Sequence, residues 1–132
     1  MKKIILKTLS GILISFSLFA VPTSAFQTGW VSNIINGQVE WEYIYSDMTA
    51  PIGWTYIDGD WYFFGEDGVA NSNVVLKSGN YDYYLKNDCR MAHDEWIHPD
   101  ANTAVLLYTE SDGHINYDKI TYNNTINKDT WN

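Results

Sequence analysis

A frame built on tryptophan recurs about every twenty residues, and it limits the fold more than any bulk property does. Gly53-Trp54 is followed by Gly59, then Trp61-Tyr62-Phe63-Phe64, then Gly68. The stretches 41–54 and 82–96 can be laid over the same frame. A unit of that length is too short for a domain and suits one hairpin. Trp61 and Phe63 share one face of a strand, while Tyr62 and Phe64 share the other. Both faces are aromatic, and an isolated hairpin, marginal in water by itself, cannot bury both. Stacking hairpins along an axis lets each unit cover its neighbour's aromatics. The expected architecture is all-β, a short β-solenoid of stacked β-hairpin repeats about four units long.

Turn chemistry marks the same units. Asn36-Gly37, Asp58-Gly59, Asp67-Gly68, Ser78-Gly79 and Asp112-Gly113 all favour turns. Between them lie runs of strand length, rich in aromatic and β-branched residues, over 39–45, 54–57, 61–64, 81–85 and 103–109. No window after residue 26 carries a helical apolar period with caps. The first unit holds Trp41-Glu42-Tyr43-Ile44, Met48 and Gly53-Trp54; the second holds Trp61 to Phe64, Gly68 and Val74. The third holds Asp82-Tyr83-Tyr84-Leu85, Cys89 and Met91, and leads on to Trp96. A worn fourth unit holds Leu106-Leu107-Tyr108-Thr109, Gly113 and Ile115. The steps 41 to 61 and 61 to 82 differ by one residue, which a loop absorbs. The repeat domain is expected over 26–115, with the polar, Asn-rich segment 116–132 as a C-terminal cap or tail.

The first 25 residues have the layout of a secretory signal peptide: basic Met1-Lys2-Lys3 and Lys7, an apolar run over 12–21, and Thr23-Ser24-Ala25 as a cleavage site. Pro22 ends the run short of the roughly 20 apolar residues that a transmembrane helix needs. Cleavage after Ala25 would release the chain from the cell, and no transmembrane segment is expected after it. Loss of the leader leaves five Lys and Arg against sixteen Asp and Glu, a net charge of −11. Nucleic acid is disfavoured as a partner, because phosphate contacts need clustered basic residues. A cationic or neutral partner is favoured.

Catalytic and metal chemistry finds little in the chain. Cys89 is alone, so no internal disulfide can form, and homodimerisation through Cys89 or repeat stacking stays open. The spacing of His93 and His98, with Asp94, Glu95 and Asp100 around them, fits no zinc signature. The Asp-rich turns form no calcium loop. Asn123-Asn124-Thr125 is a formal glycosylation sequon with no other sign of use. No nucleophile elbow, phosphate loop or Cys-His signature is present, and adjacent carboxylates such as Glu66 and Asp67 carry no glycosidase signal. The expectation is a protein without catalysis, cofactor or metal.

The run Gly53-Trp54, then Gly59-Asp60-Trp61-Tyr62-Phe63-Phe64-Gly65-Glu66-Asp67-Gly68, resembles the choline-binding or cell-wall-binding repeat of Gram-positive surface proteins and phage lysins. Thr28-Gly29-Trp30 opens an earlier copy, and the resemblance covers roughly 28–115. Related repeats occur in glucan-binding proteins and clostridial toxin tails. The copies are degenerate: Asp82 stands where the strand Trp belongs, Val74 where the next Gly-Trp belongs, and Cys89 where the turn Gly belongs. Pockets of the family type are expected in the N-terminal half, fading after the second unit.

A quaternary ammonium cannot donate hydrogen bonds, so a box of π-faces must hold it, at about 0.5–2 kcal/mol per face. In the family, two aromatics come from one hairpin and one from the next. That resemblance implies Trp30 and Trp41 with Trp61, and Trp54 and Trp61 with Tyr81 or Tyr83. The function it implies is a secreted, wall-associated binding protein, attached to a cell-wall polymer through choline or phosphocholine of teichoic acid. Two rivals stay open. Trp and Tyr faces also stack on sugars, as a glucan-binding repeat would require. Alternatively, the repeats could be the scaffold of a bacteriocin-like or toxin-like effector. Whether these aromatics form only a core is the matter for the structure.

Overall fold

The computed structural model describes residues 2–3 and 27–123. Most of the expected leader and the last nine residues, 124–132, lie outside them. The described residues form strands and turns without a helix. In chain order the strands are β1 (Lys2–Lys3), β2 (Gly29–Ile35), β3 (Gln38–Ile44), β4 (Thr49–Ala50), β5 (Gly53–Ile57), β6 (Asp60–Phe64), β7 (Val74–Ser78), β8 (Tyr81–Leu85), β9 (Glu95–Ile97), β10 (Val105–Thr109) and β11 (Ile115–Tyr122). β2–β3, β5–β6 and β7–β8 are two-stranded antiparallel hairpins; β9, β10 and β11 make a three-stranded sheet with β10 central. These are hairpins one to four. The expected all-β stack of hairpins is the architecture observed.

Two-residue tips set the register. Asn36-Gly37 and Asp58-Gly59 both have positive φ at the two central positions, 53° and 80°, then 51° and 100°. A type I′ turn requires that pair and matches the twist of the strands it joins. Hairpin three turns on Gly79-Asn80, with Gly79 at φ 60° in the first central position, as in a type II′ turn.

A second turn recurs between hairpins, and it is the most constant part of the repeat. It spans five residues: 45–49, 65–69, 86–90 and 110–114. In each copy the first N–H donates to the fifth carbonyl at 2.8–2.9 Å, and the fourth N–H donates to the first carbonyl at 2.8–3.0 Å. The third residue is always aspartate, and its carboxylate accepts the fifth N–H: Asp47 from Thr49, Asp67 from Val69, Asp88 from Arg90, Asp112 from His114. The fourth residue is left-handed in all copies: Met48 (65°), Gly68 (83°), Cys89 (69°) and Gly113 (88°). Cys89 thus stands at the turn-glycine position, as the repeat alignment placed it. The residue after the turn hooks back to the preceding hairpin, Ala70 N–H to Trp41 C=O at 2.7 Å and Met91 N–H to Trp61 C=O at 2.8 Å.

Alternation decides which side chains enter the stack. On β6, Tyr62 and Phe64 turn inward and are 8% and 0% exposed, whereas Trp61 is 43% exposed. The inward face of hairpin two meets the outward face of hairpin one, where Trp30 and Tyr43 pack against Ile57, Tyr62, Phe64, Ala70 and Cys89. A second cluster lies between hairpins three and four: Ala92, Ile97 and Ile115, with Tyr84 and Leu107 against them. Full burial of an apolar side chain contributes about 1.5–3 kcal/mol. Hairpin four carries a polar residue, Thr109, at the position of Phe64 and Leu85. Its buried hydroxyl is satisfied by the Glu95 carbonyl at 3.1 Å.

Both ends differ from the middle. Lys2–Lys3 pair with Thr49–Ala50, the exit of the first five-residue turn. At the other end, the segment set apart as a cap or tail from residue 116 begins inside β11, which pairs with β10 through a register shift at Leu107/Tyr108.

Candidate ligand-binding site

Two cavities open at successive hairpin interfaces, and their three aromatic walls and one turn aspartate occupy corresponding positions. The first box, of 510 Å³, is lined by Trp30, Trp41, Tyr62 and the turn residues Asp88, Cys89 and Arg90, with Asp60 at its rim. The second, of 390 Å³, is lined by Trp54, Trp61, Tyr83, Ser78, Met91 and Asp112. Strand pairing explains the match. Trp30 lies opposite Tyr43, as Trp54 lies opposite Phe63. Trp41 and Trp61 each stand four residues before their five-residue turn, and Tyr62 and Tyr83 are the inward residues of the following hairpin. Both volumes fall in the range of about 300–1,000 Å³ typical of ligand pockets.

The second box has well-fixed walls. Trp54 makes edge contacts with Phe63 at 5.4 Å and with Tyr83 at 5.2 Å between ring centroids. Its indole N–H donates to Ser78 Oγ at 3.1 Å, which satisfies the polar end and sets the ring plane. Trp61 lies 5.3 Å from Tyr56 and stays 43% exposed, so it is a wall open to solvent rather than a core residue. Met91 completes the apolar lining. At the rim, Asp112 accepts from His114 Nδ1 at 2.6 Å, and the His114 ring rests on Tyr81 at 4.9 Å. Partial burial would raise the Asp112 pKa, but the side-chain and backbone hydrogen bonds from His114 outweigh it and lower it.

The first box shares its walls with the core. Trp30 sits 4.7 Å from Tyr62, 5.3 Å from Tyr43 and 5.9 Å from Phe64. Burial, then the nearby Asp60 carboxylate, pushes the Tyr62 pKa up, so its hydroxyl stays protonated. Arg90 spans the rim, with Nη2 2.6 Å from Asp88 and Nη1 3.7 Å from Asp60. Burial tends to raise the Asp88 pKa, yet the Arg90 bonds prevail and lower it. Burial also raises the Cys89 thiol.

Trp30, Trp41, Trp54, Trp61 and Tyr83 therefore line these two cavities, and Tyr81 does not. It is 53% exposed and lies tilted against the His114 ring outside the second box. The first box is closed by Tyr62 and not by Trp61, because Trp61 projects from the opposite face of β6. Val75, rather than Val74, takes the position of Trp54: it pairs with Tyr84 as Trp54 pairs with Phe63. The cause is one extra residue between turn and strand, absorbed at left-handed Asn73. Trp96 pairs with Tyr108 in that same register. Tyr62, Met91, Arg90 and the turn aspartates were missed as wall and rim residues, although the alternation in Trp61-Tyr62-Phe63-Phe64 already carried the signal for Tyr62. Among the described residues, no three His, Cys, Asp or Glu side chains gather as a metal site.

No family model matches the chain. Over 75 residues, 56% of this chain, it is 31% identical to glucosyltransferase-S of Streptococcus mutans serotype c, and it spans only 5% of that protein. Among solved structures it is similar to the choline-binding domain of Spr1274 from Streptococcus pneumoniae, with TM-score 0.55 and 23% identity over 70% of this chain and 98% of that one. It is also similar to the multimodular pneumococcal cell-wall endolysin of phage Cp-1 in complex with choline, with TM-score 0.56 and 23% identity over 68% and 25% of the two chains. The stacked hairpins described above thus have the fold of choline-binding repeat domains.

Proposed function

We propose that this chain is a secreted, non-catalytic module that attaches to a bacterial cell-wall polymer by seating quaternary ammonium groups in aromatic boxes between its hairpins. Choline or phosphocholine of teichoic acid is the ligand class. The observation that carries this reading is the three-walled arrangement of Trp54, Trp61 and Tyr83, repeated in kind one hairpin earlier. A trimethylammonium group lacks a donor, so ring faces and a nearby carboxylate are what can recognise it. With about 0.5–2 kcal/mol per face, a single box belongs in the millimolar range, near 4 kcal/mol of binding. Secretion is supported by the leader-like first 25 residues. Among the described residues no helix is long and apolar enough to cross a membrane.

A second reading is glucan binding, favoured by the 31% identity to a glucosyltransferase segment and by open tryptophan faces on which a pyranose could stack. One titration separates the two. Millimolar choline should raise the melting temperature and change tryptophan fluorescence, and the chain should be retained on choline resin. A response to glucan oligomers with none to choline would move the assignment to sugar, and silence to both would leave the effector reading.

A further inference from the structure

The two boxes differ at their rims, most of all at the fifth turn residue. The fifth turn residue is Arg90 beside the first box and His114 beside the second. Arg90 is a permanent cation. Its Nε and Nη2 donate to Asp88 Oδ2 at 2.8 and 2.6 Å, its backbone N–H donates to Asp88 Oδ1 at 3.1 Å, and Nη1 lies 3.7 Å from Asp60. Both rim carboxylates of the first box are therefore already engaged by a guanidinium that lines the cavity. In the second box His114 likewise holds its turn aspartate, with Nδ1 2.6 Å from Asp112, but its ring lies against Tyr81, the counterpart of Asp60, and no guanidinium lines the cavity.

We propose that Arg90 is a resident cation that closes the first box to quaternary ammonium, leaving the Trp54–Trp61–Tyr83 box as the one that accepts it. This rests on the quaternary-ammonium reading above and adds a specificity-determining residue to it. A trimethylammonium entering the first box would find a guanidinium in the lining and both carboxylates already paired with it, so much of the attraction of a free carboxylate is lost, which weakens affinity by about a factor of ten. It could not displace Arg90 from its carboxylates, because it has no hydrogen bond to offer in return.

The test is a choline titration of the full chain followed by NMR at the indole N–H resonances, which reports each box separately. In the unaltered chain, Trp54 and Trp61 should shift with a common millimolar dissociation constant, while Trp41 should bind at least about tenfold more weakly. Arg90→Gln should bring Trp41 to within about threefold of Trp54, whereas Arg90→Lys, which keeps a cation, should not. Trp54→Ala should remove binding in the unaltered chain, and Trp54→Ala with Arg90→Gln should regain one site at Trp41. Equal affinities at Trp41 and Trp54 before any substitution, or no gain at Trp41 in folded Arg90→Gln, would overturn the proposal alone. No shift in any form up to tens of millimolar would overturn the quaternary-ammonium reading and this inference with it.

Discussion

The interface between hairpins two and three and the interface between hairpins three and four share a backbone plan but not a chemistry. Both follow the same five-residue aspartate turn, and both place three corresponding side chains where the hairpins meet. In the first those are Trp54, Trp61 and Tyr83, which line an open cavity of 390 Å³. In the second they are Val75, Asp82 and Leu107. Val75 is 40% exposed, Leu107 packs into the core against Ile97 and Ile115, and the Asp82 carboxylate accepts the Tyr117 hydroxyl at 2.7 Å. Three substitutions thus replace a box with a core contact and a polar contact, while the five-residue turn is kept. Stacking is fixed by the turns and the buried side chains, while the chemistry of the cavity is set by the outward Trp54 and Trp61 and the inward Tyr83.

That separation can be broken at its strongest point first. Leu85→Ala deletes a fully buried inward side chain of hairpin three and should lower stability by about 2–5 kcal/mol in urea denaturation. A loss below 1 kcal/mol would show that the inward face does not hold the stack. Next come the turns. Gly113→Ala places a methyl group at φ 88° and against the Met91 side chain, and Gly68→Ala places one at φ 83° with only Ala50 nearby. Each should lose about 1–2 kcal/mol, with Gly113→Ala the larger.

Trp61→Ala removes a solvent-open wall, so the fold should persist by circular dichroism while choline affinity falls about 2- to 30-fold, the equivalent of one lost face. Unfolding instead would return Trp61 to the core. The smallest effect belongs to the last interface. Burial and the bond to Asp82 push the Tyr117 pKa up to about 12 from 10.0. A proton held more tightly in the folded state contributes stability that is complete below pH 10 and lost as pH rises through about 12. Tyr117→Phe should abolish that alkaline slope, shift stability at neutral pH by no more than about 1 kcal/mol, and leave choline binding unchanged. Its effect on urea midpoints at pH 9 and pH 11 is the measurement.

Much of this plan was legible in the chain because local chemistry and global architecture agree. Asn36-Gly37 and Asp58-Gly59 specify hairpin tips, and the aromatic alternation of 61–64 demands a covered face on both sides. The details that escaped depend on distances across units. Choosing Tyr62 over Trp61 as the closing wall needs the face of β6 that hairpin one covers. Placing Val75 rather than Val74 needs the extra residue at Asn73, which shifts every later side chain by one and so exchanges faces. Arg90 escaped because its role comes from reaching out of one turn to the box of an earlier hairpin, joining Asp88 beside it to Asp60 thirty residues back. The aspartate at 47, 67, 88 and 112 is the most regular mark of the repeat, though tryptophan draws the eye first.

The central claim is that a quaternary ammonium sits between hairpins two and three. Intermolecular NOEs from the choline methyl protons at saturating ligand test it most directly. The account predicts cross-peaks to ring protons of Trp54, Trp61 and Tyr83. Cross-peaks confined to Trp96 and Tyr108, or bound choline with none to these three rings, would contradict it.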